Sequence, residues 1–140
     1  MQNKYYWGTP DTSVSFCEKK YDKIFWIAEY NNTISAIPYI FVGIIFLFTK
    51  IRNIGICMVL LGFSTMLMHG TLRNYAQLLD ESSLLILSFE TLKLLDKRLN
   101  YIFLPPIVGV YLMLNENFFI FLSTFSGMQL TIVYKVYYKK

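Results

Sequence analysis

The stretch Ile54–Glu81, "IGICMVLLGFSTMLMHGTLRNYAQLLDE", decides the fold class. It opens as a long apolar run, ends that run on His69, and crosses a short polar connection containing Arg73. The next apolar run then carries Asp80 and Glu81 near its start. His69 is the single histidine in the 140 residues. A long apolar run without a polar stripe points to a helix solvated by lipid. The ionisable residues at its edge need a separate reason. Charged groups in a bilayer are costly, and they usually face a protein interior or a wet cavity with a partner.

The rest of the chain follows the same pattern. Hydrophobic residues make up 55% of it and charged residues 16%, with a mean hydropathy of +0.43. Soluble domains carry about 25% charged residues, so this chain has too few to cover a water-facing surface. Five runs stand out, Ile34–Phe48, Ile54–His69, Leu78–Leu95, Tyr101–Leu114 and Phe118–Tyr134. The reading is all-α: a polytopic integral membrane helical bundle of about five spans. It forms a single transmembrane domain over residues 1–140, with residues 1–30 as a polar N-terminal segment.

Two local expectations follow. A span needs about 20 residues, so the first is expected to begin earlier, through Ile24–Ala28, with Trp26 and Tyr30 at the interface. Pro105–Pro106 removes two backbone donors and predicts a kinked or partly re-entrant fourth run. The first 30 residues lack a basic region followed by an apolar core, so the first span reads as an uncleaved anchor.

Five spans place Lys50, Arg52, Lys97, Arg98, Lys135, Lys139 and Lys140 on one side, and Lys4, Lys19, Lys20, Lys23 and Arg73 on the other. The positive-inside rule then favours a cytosolic C-terminus and a lumenal N-terminus. The net charge of +4 belongs to this topology. No clustered basic face is present, so nucleic acid is excluded as a partner. Gln129, Ser123, Ser126 and Thr131 read as helix-packing contacts, and a channel would need polar residues repeating along several spans. Cys17 in the N-terminal segment and Cys57 inside the second run match no zinc-finger spacing.

An up-down-up path brings the start of the first span, the end of the second and the start of the third to one side of the membrane. Glu29, His69, Asp80 and Glu81 therefore converge. Thr65 lies one helical turn before His69 on the same helix face. One reading is a pocket lined by an imidazole, a hydroxyl and carboxylates. The other is capping, with His69 near a helix C-terminus, Gly70 ending the helix, and Asp80 and Glu81 as first-turn acids.

The stretches "YWGTPDTS" (Tyr6–Ser13), "CEKKY" (Cys17–Tyr21), "WIAEYNNTIS" (Trp26–Ser35) and "HGTLRNYAQLLDE" (His69–Glu81) together resemble the N-terminal half of the alkaline ceramidase family. The likeness runs from Tyr6 to Leu95 and then passes into generic apolar sequence. It implies the first part of a seven-helix intramembrane fold. The implied activity is hydrolysis of the ceramide amide to sphingosine and fatty acid, by zinc-activated water, in the endoplasmic reticulum or Golgi membrane. By the same resemblance His69 is a zinc ligand and Asp80 the water-activating aspartate, while Thr65 stands where the family has an oxyanion-stabilising serine. A calcium site is implied at Phe16, Glu18 and Glu29.

Departures from that pattern are as informative. The family's other two zinc histidines form a late HxxxH-type pair, and no second histidine exists in this sequence. The family cysteine matching Cys17 pairs with one in the distal half, so Cys17 is expected to be a free thiol. Ser15 stands where the family has an aspartate, and Lys20 where it has an asparagine. Lys20 is therefore a candidate substitute for calcium, bridging Glu29 with Glu18 as a second partner; the other reading has it in water like Lys19 and Lys23. The chain reads as truncated relative to the family, with two outcomes. A separate chain supplies the missing C-terminal half, or the protein is a non-catalytic ceramide-binding pseudoenzyme or relic.

Overall fold

A computed structural model describes residues 5–114 and 118–138. Lys4, Lys139, Lys140 and the Asn115–Asn117 connection lie outside the described residues. The order is α1 (Tyr30–Ser35), α2 (Ile37–Leu47), α3 (Arg52–Thr71), α4 (Asn74–Leu95), a 3-10 turn (Tyr101–Phe103), α5 (Leu104–Met113) and α6 (Phe118–Tyr138). No strand occurs among the described residues, and the chain is an all-helical membrane protein. Three stretches are long and apolar enough to cross a bilayer: Tyr30–Leu47, Arg52–Thr71 and Phe118–Tyr138. The third apolar run lies in α4, which is long but carries Asp80, Glu81, Glu90 and Lys93. The fourth becomes the shorter apolar helix Tyr101–Met113.

The chain divides into two compact units, Met1–Asp80 and Glu81–Lys140. In the first, α1 and α2 follow one path broken at Ala36. Pro38 sits in the first turn of α2 and has no N–H to extend α1. The helix α2 then packs on α3 at backbone contact. A Cβ added to Gly43 would meet the Gly55 carbonyl at 2.9 Å, and one added to Gly55 would meet the Gly43 carbonyl at 2.7 Å. Small residues let helices approach this closely where water supplies no hydrophobic drive.

The first span does not extend back through Ile24–Ala28. That stretch is turn and bend, and the helix starts at Tyr30. The reason lies at the end of α3, whose last carbonyls lack intrahelical donors. Ala28 N–H donates to Gly70 O at 2.9 Å, and Glu29 N–H to His69 O at 3.0 Å. Continuing α1 upstream would break both bonds.

Gly70 does not end α3. The helix runs on to Thr71, and Leu72 takes the left-handed cap at φ 53°, its N–H on Met68 O at 2.7 Å. Asp80 and Glu81 are not first-turn acids either, because α4 begins at Asn74. The N-terminal segment closes this corner. Asp11 Oδ1 accepts from Asn74 N–H at 2.6 Å, and its other oxygen pairs with Arg73 at 2.9 Å. Arg73 also donates to Thr9 O at 3.1 Å.

In the second unit, Pro105 and Pro106 do not kink a helix; they start one. They occupy the first turn of α5, where a missing N–H costs nothing. Tyr111 is buried and donates to Glu81 Oε2 at 2.6 Å. Gln129 donates to Ser88 Oγ at 2.9 Å, joining α6 to α4, while Thr131 bonds back to Gly127 O of its own helix. Lys135 pairs with Asp96 at 2.6 Å. Most of α6 is exposed, including Phe119 and Leu130, as expected of a face turned to lipid.

Candidate functional site

The site grows from the end of α3. Residues one turn apart on a helix share a face, so Thr65 and His69 present a hydroxyl and an imidazole on one side. The loop bonds of Ala28 and Glu29 to the α3 carbonyls then deliver the Glu29 side chain to the ring. Glu29 Oε2 lies 2.6 Å from His69 Nδ1, and the carboxylate is fully buried at 0% exposure. A carboxylate only accepts, so in this contact Nδ1 carries a proton. The Phe16 ring packs edge-on against the imidazole, with centroids 4.7 Å apart.

Glu29 has further partners. Asn32 Nδ2 donates to Oε2 at 3.0 Å, and Lys20 Nζ forms an ion pair with Oε1. Lys20 also donates to the Phe16 carbonyl at 2.8 Å. Burial acts to raise the Glu29 carboxyl. The hydrogen bonds from His69, Lys20 and Asn32, with the Lys20 charge, outweigh it and hold the group below its ordinary value. Glu18 does not join this bridge. Its two oxygens accept Asn31 N–H at 2.7 Å and Asn32 N–H at 3.0 Å, capping the otherwise unsatisfied first turn of α1.

The second half of the site is the Asp80 carboxylate, which is buried. Thr65 Oγ1 donates to Asp80 Oδ1, and Ser64 Oγ lies 3.4 Å from the same oxygen. Asp80 is within electrostatic reach of His69. Glu81, next in sequence, turns instead to Tyr111 within the second unit.

An apolar slot of about 330 Å³ opens on a different face of α3 from Thr65 and His69, lined in part by Trp7, Trp26, Phe63, Met66, Leu67 and Gly70. Trp7 is oriented there by its indole N–H on Trp26 O at 2.7 Å. Cys57 is buried and Cys17 exposed, and among the described residues neither forms a disulfide.

Thus Glu29, His69, Thr65 and Asp80 are brought together as two linked pairs, with Phe16 and Lys20 behind them. Ser64 and Asn32 belong to the site and carry no strong sequence signal. Ser64 is overshadowed by Thr65, and Asn32 reads as part of a glycosylation sequon. Asp11, which accepts from Asn74 N–H at the start of α4, has its partner 63 residues away, so no local sequence signal marks it.

The ceramidase family model matches residues 8–139. This chain belongs to the ceramidase family. The match extends past Leu95, so the family pattern continues through α5 and α6, where isolated motifs give out. An alkaline ceramidase of Arabidopsis thaliana is 32% identical over 85 residues, covering 55% of this chain and 33% of that protein. The chain thus spans about a third of the length of the curated relative it matches. Within the ceramidase family member described here, no three His, Cys, Asp or Glu side chains among the described residues gather closely enough to hold a metal ion.

Proposed function

We propose that this ceramidase-family chain engages the amide headgroup of a ceramide-type sphingolipid, and that its 140 residues alone bind the lipid without cleaving it. The observation that supports this is the pairing of Thr65 with Asp80 beside a His69 held by Glu29. A buried carboxylate and imidazole on a helix whose other face lines an apolar slot offer polar partners to an amide and a surface to its hydrocarbon. The Thr65 hydroxyl is already donated to Asp80, so it is not free to donate to an oxyanion. The apolar slot offers a hydrocarbon chain a place along α3.

Zinc does not fit this residue set. A catalytic zinc generally takes three protein ligands with an open fourth position. Here one imidazole nitrogen, His69 Nε2, and the Asp80 carboxylate are on offer, and the sequence contains no other histidine. The chain purified in detergent with zinc and calcium is expected to bind a fluorescent ceramide and to release no fatty acid above background. Release of fatty acid that disappears in His69→Ala and Asp80→Ala variants would refute the non-catalytic reading.

A second reading has its own support. A ligating histidine almost always gives its other ring N–H to a carboxylate or carbonyl, and Glu29 holds His69 in that way. In this reading a separate chain brings the further imidazoles, and the assembled pair is a zinc-dependent ceramidase. Co-expression with the distal part of an alkaline ceramidase tests it, with His69-dependent hydrolysis as the expected outcome. The reading also places the protein in the endoplasmic reticulum or Golgi membrane with its N-terminus lumenal.

A further inference from the structure

Three lysines lie close together in the N-terminal segment, and only one turns inward. Lys19 pairs with Asp22 in the open, its side chain 82% exposed. Lys23 reaches Asn31 at the surface. Lys20 is 25% exposed, and its ammonium meets two oxygens, the Phe16 carbonyl and Glu29 Oε1. Those are two of the positions where the resemblance implies a calcium ion.

Calcium does not fit there. It takes six to eight oxygens at about 2.3–2.6 Å, and here an ammonium bonds the oxygens it would need. Glu18, the other acid at that place, is committed to the N–H groups of Asn31 and Asn32. A buried carboxylate such as Glu29 nevertheless requires a counter-charge. We propose that Lys20 is a covalently attached replacement for that divalent cation, fastening the N-terminal segment to Glu29 and, through Glu29, to the His69 ring.

The linkage is continuous. Lys20 ties the Phe16 backbone to Glu29, Glu29 ties to His69 Nδ1, and the Phe16 ring closes on the imidazole edge. Lys20 is therefore a positioning residue. It touches neither the open imidazole nitrogen nor Asp80, and it acts through Glu29. This role is independent of whether the chain binds or cleaves ceramide.

The test is the melting temperature of the full chain in detergent, with EGTA or with about 1 mM calcium, enough to fill weak sites. The native chain should melt identically in both. Lys20→Ala should melt lower by about 5 °C or more, whereas Lys19→Ala should match the native chain. The double variant Ser15→Asp, Lys20→Asn should gain a calcium-dependent rise. Calcium stabilisation of the native chain, an unshifted Lys20→Ala, or a double variant blind to calcium would each overturn the proposal. If Lys20→Ala does not fold, the calcium response of the native chain and of the double variant still decides.

Discussion

Glu29 and His69, forty positions apart, meet at 2.6 Å between carboxylate and imidazole, and both are buried. The contact joins the residue preceding α1 to the last turn of α3. It converts two helix ends into one polar cluster.

That contact carries a pH dependence. Burial opposes ionisation of Glu29, but its three hydrogen-bond donors leave the carboxyl below its ordinary value. A group whose pKa falls on folding contributes stability that is complete above its unfolded pKa of about 4.3. The contribution is lost as pH drops through the lower folded value. The native chain should therefore melt more easily below about pH 4.3. Glu29→Gln should cost about 1–3 kcal/mol at pH 7, and its deficit should shrink on acidification. A deficit that grows toward pH 4 contradicts the assignment.

Helix packing gives a second expectation. Gly55→Ala places a Cβ about as close as 2.7 Å to the Gly43 carbonyl and 2.8 Å to Leu47 N, both backbone atoms. Neither helix can yield without moving, so the overpacking cost of about 1–3 kcal/mol should outweigh the helix-propensity gain of about 1 kcal/mol. Gly70→Ala meets nothing within 4 Å, so only the propensity gain of up to about 1 kcal/mol should remain. Equal melting temperatures for the two variants in detergent would argue against backbone contact between α2 and α3.

The open space at Gly70 allows a sharper experiment on the slot. Gly70→Leu projects into that space and should fill it without unfolding the chain. Binding of a fluorescent ceramide should weaken at least tenfold while the melting temperature changes little. Unchanged binding would mean that the lipid lies elsewhere.

Topology is the fourth prediction. Five spans require tags at the two ends to lie on opposite sides of the membrane in a protease-protection assay. Ends found on one side would remove the five-span reading, with the short helix α5 as the first to be reassigned. The Asn31–Asn32–Thr33 sequon should stay unglycosylated, since the Thr33 hydroxyl is turned onto Glu29 O at 2.6 Å and the sequon lies at the start of a span.

The helical class and the membrane setting were legible because composition and run length determine how a chain meets lipid. Convergence of Glu29, His69, Thr65 and Asp80 was legible from alternating helix direction alone. Boundaries were harder. Ile24–Ala28 looks like helix because it is apolar, yet its N–H groups serve the carbonyls of His69 and Gly70, far away in sequence. The stop at Leu72 was hidden for a similar reason, since Gly70 is the better residue for a left-handed cap but lies one residue inside the end of α3. Pro105–Pro106 gave the right location with the wrong sign, because a proline that breaks a helix interior also begins a helix well.

The docking of the N-terminal segment has a consequence in time. Asp11 and Thr9 are synthesised early, but their partners at Arg73 and Asn74 come more than sixty residues later. Until the ribosome has passed that corner, Thr9 and Asp11 lack these partners, although Trp7–Trp26 and Lys20–Glu29 can already form. The nascent protein therefore passes through a stage in which α2 and α3 can pair while the stretch around Thr9–Asp11 is not yet docked. Contacts of such long sequence separation form late. A chain arrested before Arg73 should be clipped by protease in that segment, and one released after Asn74 should resist.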